Sequence, residues 1–130
     1  MAENPIAKKL KLVGRKRPAV INAPKDYDLG VDAARKLTGK FDFIQVFVKN
    51  KAELDKVAPK AAAALEPESI LWISFPKGTS KIQTDLTRDK GWDILKKLDL
   101  KWITLVSVND TWSAFGLRPY HEDETRQDWR

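Results

Sequence analysis

At residues 69–81 the chain reads SILWISFPKGTSK. The apolar run within this stretch ends at Pro76, and a short polar segment with lysine, glycine and hydroxyl side chains follows it. Aromatic and β-branched residues that stop at a proline predict a buried strand that opens into a loop. Beyond the loop, Trp92, Leu95 and Leu98 recur at helical spacing. Strand, loop and helix in this order predict an α/β fold.

Further predicted strands and helices lie on both sides of this stretch. Asn50 and Glu53 have the spacing of a capping box, and the apolar residues after them fall on one face of a predicted helix. Pro59 lies inside this helix and predicts a kink or a break. The complete prediction has strands at 17–22, 41–48, 70–75, 102–108 and 112–117, and helices near 31–37, 50–65 and 87–98.

Strands that alternate with helices predict right-handed crossovers and a mainly parallel sheet. We expect a small three-layer α/β sandwich with about five strands in the order 2-1-3-4-5. The turn residues Asn109 and Asp110 predict that the last strand forms an antiparallel hairpin at the edge of the sheet. A chain of 130 residues encloses one core. We therefore expect a basic arm or short helix at 1–14, one α/β domain at 15–119 and a charged flexible tail at 120–130.

The excess of positive charge is confined to one end of the chain. The net charge is +6, and residues 8–17 hold six cations with no acid among them. The other 18 basic residues balance 18 acidic ones. Such an arm can bind phosphates by counterion release, but it has no aromatic residue to stack on bases. A solvated segment is the simpler interpretation, so we do not expect a nucleic-acid partner.

The composition is that of a globular protein, with 42% hydrophobic and 32% charged residues. No apolar stretch approaches the roughly 20 residues of a membrane span, and the first residues lack the apolar block of a secretory signal. The chain has no cysteine, which excludes disulfides, thiolate nucleophiles and zinc–thiolate sites and suits a reducing compartment. We therefore expect a cytoplasmic protein with no membrane partner.

Two of the predicted strands run into the same dipeptide, Pro-Lys. With the order 2-1-3-4-5, the two strand ends would face each other across the crevice in which open α/β sheets bind ligands. Glycine lets the backbone approach a ligand, and cationic and hydroxyl side chains bind oxyanions. We predict a site for a small anion or a nucleotide, formed by Lys25, Lys77, Gly78, Thr79, Ser80, Lys81 and Arg88.

The same pattern has a simpler explanation, because proline ends strands and lysine keeps turns solvated without any ligand. The segment also lacks the full glycine spacing of a dinucleotide fingerprint or a P-loop. The Pro-Lys site is therefore a hypothesis that depends on the predicted strand order.

Catalytic groups are hard to assemble from this sequence. The acidic candidates Asp85, Asp89 and Asp110 are separated, and the single histidine, His121, lies at the edge of the charged tail. A serine nucleophile needs an adjacent base, and a hard cation needs clustered carboxylates. We therefore expect a non-catalytic binding or regulatory module without a cofactor or a metal. A lysine-assisted reaction stays open.

A protein-interaction module is the alternative. Strand 112–117, placed at the edge of the predicted sheet, would present unpaired backbone groups to another chain. A homodimer formed through this strand would be the signature of that function.

Several segments combine into a distinctive pattern: LWISFPKGTSKI at 71–82, then Asp85, Arg88, Asp89 and Trp92, then VNDTWSA at 108–114. Together they resemble a bacterial family of small proteins described as a domain of unknown function. The resemblance covers roughly residues 15–119 and implies a compact α/β domain of bacterial type. It brings no substrate, cofactor or catalytic residue with it.

Overall fold

The computed structural model describes residues 10, 16–23, 33–77, 93–98, 100–109 and 111–120. These residues form five strands and two helices. The strands are β1 (Pro18–Ile21), β2 (Phe41–Phe47), β3 (Leu65–Pro76), β4 (Leu100–Ser107) and β5 (Trp112–Pro119), and the helices are α1 (Lys51–Ala63) and α2 (Asp93–Lys97).

The five strands form one sheet in the order β1-β2-β3-β5-β4. β1 and β2 are parallel, as are β2 and β3, whereas β5 runs antiparallel to both of its neighbours, β3 and β4. β4 is therefore parallel to β3, and four of the described strands share one direction. The mixed α/β fold is confirmed, and the predicted strand order is wrong.

The two last strands account for the difference in order. β5 is buried along most of its length, whereas β4 is half-exposed from Lys101 to Val106. A strand that is buried on both faces is better placed between two partners than at an edge, where its backbone groups would face water. β5 therefore lies inside the sheet, and β4 is the outermost of the described strands on that side.

The segment after β1 adds a single bridge to the opposite side of the sheet. Ala34 donates its N–H to the Pro18 carbonyl at 2.9 Å, and its carbonyl accepts from the N–H of Val20 at 2.8 Å. Ala19 thus lies between Ala34 on one side and Ile44 of β2 on the other. The helix predicted at 31–37 is wrong in its described part, because the backbone there pairs with β1.

Apolar residues cover both faces of the sheet. On one face, a cluster contains buried side chains of β1, β2 and β3 together with Leu54, Ala58 and Ala61 of α1 and Leu95 of α2. Both described helices therefore pack on the same face. The opposite cluster centres on Trp72 and contains the buried side chain of Leu10. A second helical layer, which a three-layer sandwich requires, is not found among the residues that the structure describes.

Trp72 is the largest fully buried side chain in the described residues. Its indole N–H donates to the carbonyl of Leu10 at 2.8 Å, so the polar atom of this ring is satisfied inside the core. Gly116 faces Trp72 from β5, and a Cβ atom at this position would lie 2.8 Å from Cζ3 of the indole ring. The ring therefore occupies the space that a side chain at residue 116 would need.

The predicted capping box begins α1. Asn50 Oδ1 accepts from the N–H of Glu53 at 2.9 Å, and Glu53 Oε1 accepts from the N–H of Lys49 at 2.7 Å. The helix then continues through Pro59 to Ala63 without the predicted break. Pro59 is exposed, so water can reach the carbonyl group that loses its partner there. Neither α1 nor α2 has the length and the apolar composition of a membrane-crossing helix.

Replacing the capping residue tests how much this helix depends on its first turn. We expect Asn50→Ala to lower the free energy of unfolding by about 1 kcal/mol, because the N–H of Glu53 loses its acceptor. Asp55→Ala is the control, since it removes only the exposed ion pair with Lys51 and should cost less than about 0.5 kcal/mol. Urea denaturation of both variants measures the difference. Equal losses would show that the cap is not the stabilising contact.

Candidate functional site

A cavity of about 1130 Å³ lies at the carboxyl ends of β1 and β2. Its lining consists of residues 21–23, residues 35–38, Phe47, Lys49 and Trp112, and four α1 residues, which are Glu53, Lys56, Val57 and Lys60. We call it the strand-end pocket. Its volume is on the scale of small-molecule sites, which range from about 300 to 1,000 Å³.

The topology explains why the pocket lies there. After β1 the chain first passes to the outer side of this strand, at Ala34, and then returns to β2 on the inner side. The pocket lies above the carboxyl end of β1, and both the segment after Ala34 and the end of β2 line it. Open α/β sheets bind their ligands outside the carboxyl ends of their strands.

Asn22 forms the turn at the mouth of this crevice. It follows directly on β1 and has a φ angle of 61°, the one positive value among the described residues other than glycine. Asparagine tolerates this left-handed conformation better than most residues. Backbone in such a conformation often lies at functional sites. The turn leaves the side chain of Asn22 exposed on the rim of the pocket.

One wall of the strand-end pocket is apolar. The buried residues Phe47 and Trp112 line it, and their rings pack in a T-shape with centroids 5.0 Å apart. The half-buried side chains of Leu37 and Val57 also line the pocket, and they pack against the core cluster on the other face of the sheet. A surface of this kind suits the flat, largely apolar face of an aromatic ligand group.

The rest of the lining is strongly cationic. It contains five basic side chains and one carboxylate among the described residues: Arg35, Lys36, Lys49, Lys56 and Lys60 against Glu53. One oxygen of that carboxylate already accepts from a backbone N–H of the helix cap. Within the described part of the chain, none of the five basic side chains takes part in a hydrogen bond or a salt bridge.

Two basic residues elsewhere in the described fold do have partners. Lys40 donates to the carbonyl of Ala63 at 2.6 Å, and Lys51 pairs with Asp55 at 2.8 Å. Among the described residues, the positive charge of the strand-end pocket is therefore not compensated.

The predicted Pro-Lys site requires β1 and β3 to be neighbours, and they are not. β2 lies between them, so the ends of β1 and β3 do not face each other across one crevice. Lys77 donates its backbone N–H to the Thr111 carbonyl at 2.8 Å and its ammonium group to Ser107 Oγ at 2.6 Å. It is directed towards the end of β4, and it does not line the strand-end pocket. The other predicted ligands, Lys25, Gly78, Thr79, Ser80, Lys81 and Arg88, lie outside the described residues.

The alternative site, an edge strand at 112–117, is also incorrect. β5 pairs with β3 from Trp112 to Leu117 and with β4 from Ser113 to Pro119 on its other side. Its backbone groups are therefore engaged by this chain and do not form an open edge.

The remaining sequence candidates for chemistry are not placed by the structure. Asp85, Asp89, Asp110 and His121 lie outside the described residues. Where side chains are described, no three histidine, cysteine or carboxylate residues come together as metal ligands would.

Sequence reasoning missed the residues that line the strand-end pocket. Two local signals were available: Asn22 at the end of a predicted strand, and Lys56 and Lys60 four residues apart on the exposed side of α1. Neither signal identifies a site alone. The pairing of Ala34 with β1, which brings Arg35 and Lys36 to the pocket, has no signature in the sequence.

The chain matches no protein-family model, and no curated protein is significantly similar to it in sequence. Solved structures do share its fold. A ribosomal protein L11 methylase from Lactobacillus delbrueckii subsp. bulgaricus has 16% identity and a TM-score of 0.50, and the match covers 69% of this chain and 46% of that one. LepI in complex with SAM has 11% identity and a TM-score of 0.53, with 90% and 47% covered. LepI with SAH and a substrate analogue has 9% identity and a TM-score of 0.53, with 88% and 39% covered.

These structures define the class of fold. The chain has a Rossmann-like α/β fold similar to that of a methylase and of a protein that binds SAM and SAH. It spans less than half the length of each of these proteins. The likeness contradicts the prediction of a non-catalytic anion-binding module, because the structures that share the fold include a methylase and a complex with a substrate analogue.

Proposed function

We propose that the chain is a methyltransferase domain that binds SAM in the strand-end pocket. The observation that carries the proposal is the position of this pocket, at the carboxyl ends of β1 and β2 in a fold that the chain has in common with a methylase. Ligands of open α/β sheets collect at this position. The likeness in fold supports the class of reaction, and the residues of this chain support the ligand.

The lining fits the parts of SAM, S-adenosylmethionine, in turn. The apolar wall at Phe47 and Trp112 would hold the adenine ring. Hydroxyl groups of the ribose would bind Glu53, whose second carboxylate oxygen is not used by the helix cap, and the hydroxyl of Thr38. The amino-acid carboxylate of SAM would pair with Lys49.

When bound, SAM supplies a methyl group on a positively charged sulfur atom. The task of this chain is then to orient the two reactants and to exclude water. The buried sheet ends give the pocket a rigid floor, and α1 is fixed against that floor by Leu54, Ala58 and Ala61. A pocket on rigid elements holds a ligand in one geometry, which a transfer between two bound molecules requires.

Filling the pocket tests this proposal. Val57 is half-buried on α1 and faces the strand-end pocket, so Val57→Phe would occupy space that the ligand needs. We expect isothermal titration calorimetry to detect SAM and SAH binding to the native chain. We expect Val57→Phe to weaken this binding at least about tenfold, which corresponds to a loss of about 1.4 kcal/mol.

Ala62→Phe is the matched control. Ala62 is also half-buried on α1 but lines a different cavity, near the start of β3. This variant should bind SAM as the native chain does, and thermal unfolding should show that both variants are folded. No binding of either compound at millimolar concentration, or equal binding by Val57→Phe, would refute the proposal.

We also propose the cytoplasm as the location of the protein. The chain contains no cysteine, so it needs no oxidising compartment to form disulfides. The reducing cytoplasm suits this composition.

A further inference from the structure

The described lining of the strand-end pocket carries positive charge that SAM does not compensate. SAM itself has a cationic sulfur, a cationic amino group and one carboxylate, so its net charge has the same sign as the lining. With five basic residues and one acidic residue among the described lining groups, the pocket stays cationic after SAM has bound. Like charges in one groove repel, and a second ligand of negative charge would relieve this repulsion.

The basic residues come from three separate segments of the fold. Arg35 and Lys36 follow the bridge at Ala34, Lys49 follows β2, and Lys56 and Lys60 lie one helical turn apart on α1. Two lysines at this spacing destabilise a helix slightly. On the same helix, Lys51 has an acidic partner four residues on, whereas Lys56 and Lys60 have no partner in the described part of the chain. Charge balance within the helix therefore does not explain them.

We propose that the methyl acceptor of this site is a phosphate-bearing molecule whose phosphate groups bind these basic residues. This inference rests on the proposed function. Phosphate suits the site better than a single carboxylate, because it carries up to two negative charges and three acceptor oxygens for several donors at once. Arg35 supplies the planar guanidinium group that binds phosphate in a bidentate manner, and the lysines act as point charges.

Methyl transfer to this acceptor forms one bond to the methyl carbon and breaks another. An oxygen or nitrogen atom of the acceptor, outside its phosphate group, uses a lone pair to form a bond to the methyl carbon. The bond between that carbon and sulfur breaks, and its electron pair stays on sulfur, which leaves neutral SAH. The acceptor atom releases its proton to water. Bound phosphate takes no part in bond changes and holds the acceptor in place.

The experiment measures SAM and phosphate binding separately. The phosphate probes are ribose 5-phosphate, inorganic pyrophosphate and a short single-stranded oligouridine, each titrated into the full chain saturated with SAH. We expect the Lys56→Gln/Lys60→Gln variant to bind the phosphate probes at least about tenfold more weakly than the native chain, because charge-assisted hydrogen bonds are lost. Its affinity for SAH should change by less than about threefold, since the apolar wall and Glu53 remain.

Lys51→Gln/Lys97→Gln is the control, because it removes the same charge from exposed positions outside the lining. It should bind all probes within about twofold of the native chain, as surface charges contribute little. Tight binding of ribose 5-phosphate supports a small phosphorylated acceptor. Binding of the oligouridine alone, with a steep salt dependence, supports a nucleic-acid acceptor.

Two outcomes distinguish failure of this inference from failure of the proposed function. SAH binding without any binding of the phosphate probes would overturn the phosphate-bearing acceptor and leave the methyltransferase proposal standing. Phosphate binding by a chain that binds neither SAM nor SAH would overturn the proposed function and the acceptor role with it. Equal losses in the pocket variant and the control would overturn the assignment to Lys56 and Lys60.

Discussion

Trp72→Ala is expected to lower the free energy of unfolding by about 3–5 kcal/mol. The side chain is fully buried, and its removal leaves a cavity in the core cluster on its face of the sheet, next to Gly116. The carbonyl of Leu10 also loses the indole donor that satisfies it inside the core. Urea denaturation followed by far-ultraviolet circular dichroism measures this loss without relying on tryptophan fluorescence.

Trp102→Ala is the matched control for this prediction. Trp102 is the most exposed large apolar side chain among the described residues, at 40%, and it packs edge-on against Phe115 at 6.4 Å. We expect its removal to cost about 1 kcal/mol, because much of the side chain is already in contact with water. Losses of equal size in the two variants would contradict the central position of Trp72 in the core.

Gly116→Ala is expected to destabilise the chain by about 1–3 kcal/mol, although it adds only one methyl group. The new Cβ atom would lie 2.8 Å from Cζ3 and 2.9 Å from Cη2 of Trp72. Neither partner can move easily, since Gly116 pairs with two strands and the indole ring is fixed by its hydrogen bond. The same denaturation experiment measures this effect.

A double-mutant cycle identifies the cause of that loss. Trp72→Phe removes the outer part of the indole ring that the methyl group would meet. Gly116→Ala should therefore cost at least about 1 kcal/mol less in the Trp72→Phe background than in the native chain, since contacting residues are not additive. A cost that is the same in both backgrounds would point to the backbone of β5 and away from the clash.

Helix α1 could be predicted from the sequence because its determinants are local. The side chains of Asn50 and Glu53 accept hydrogen bonds from backbone N–H groups within the first turn. The spacing of the apolar residues after them determines which face of the helix is buried. The helix does not break at Pro59, because an interior proline costs less where water can solvate the freed carbonyl. Exposure of that position depends on the packing of the whole fold, which the local sequence does not contain.

Strand order could not be predicted in the same way. Each strand shows its own apolar pattern, but nothing within β4 or β5 specifies the neighbour of either. One signal for the interior position of β5 was present: Gly116 interrupts a strand of large residues, and glycine in a strand often marks a close approach by another group. Its partner, Trp72, becomes evident only when β3 and β5 are aligned.

The candidate site followed the strand order, so it was misplaced with it. The general expectation of a ligand crevice at the carboxyl ends of the strands agrees with the position of the strand-end pocket. Lys77 was assigned to that crevice on the assumption that β1 and β3 are adjacent, and its ammonium group instead reaches Ser107. Arg35 and Lys36 reach the pocket because Ala34 pairs with Ala19 of β1. The local sequence around either residue does not indicate this contact.

The interior position of β5 also determines the order in which the sheet can be assembled on the ribosome. β2 can pair with β1, and β3 with β2, as each is synthesised. β4, however, leaves the ribosome before β5, the strand that lies between it and β3. Until β5 arrives, β4 has no backbone partner among the described strands. The arrival of β5 then closes two interfaces in one step, so completion of the sheet is a late, non-local and cooperative event.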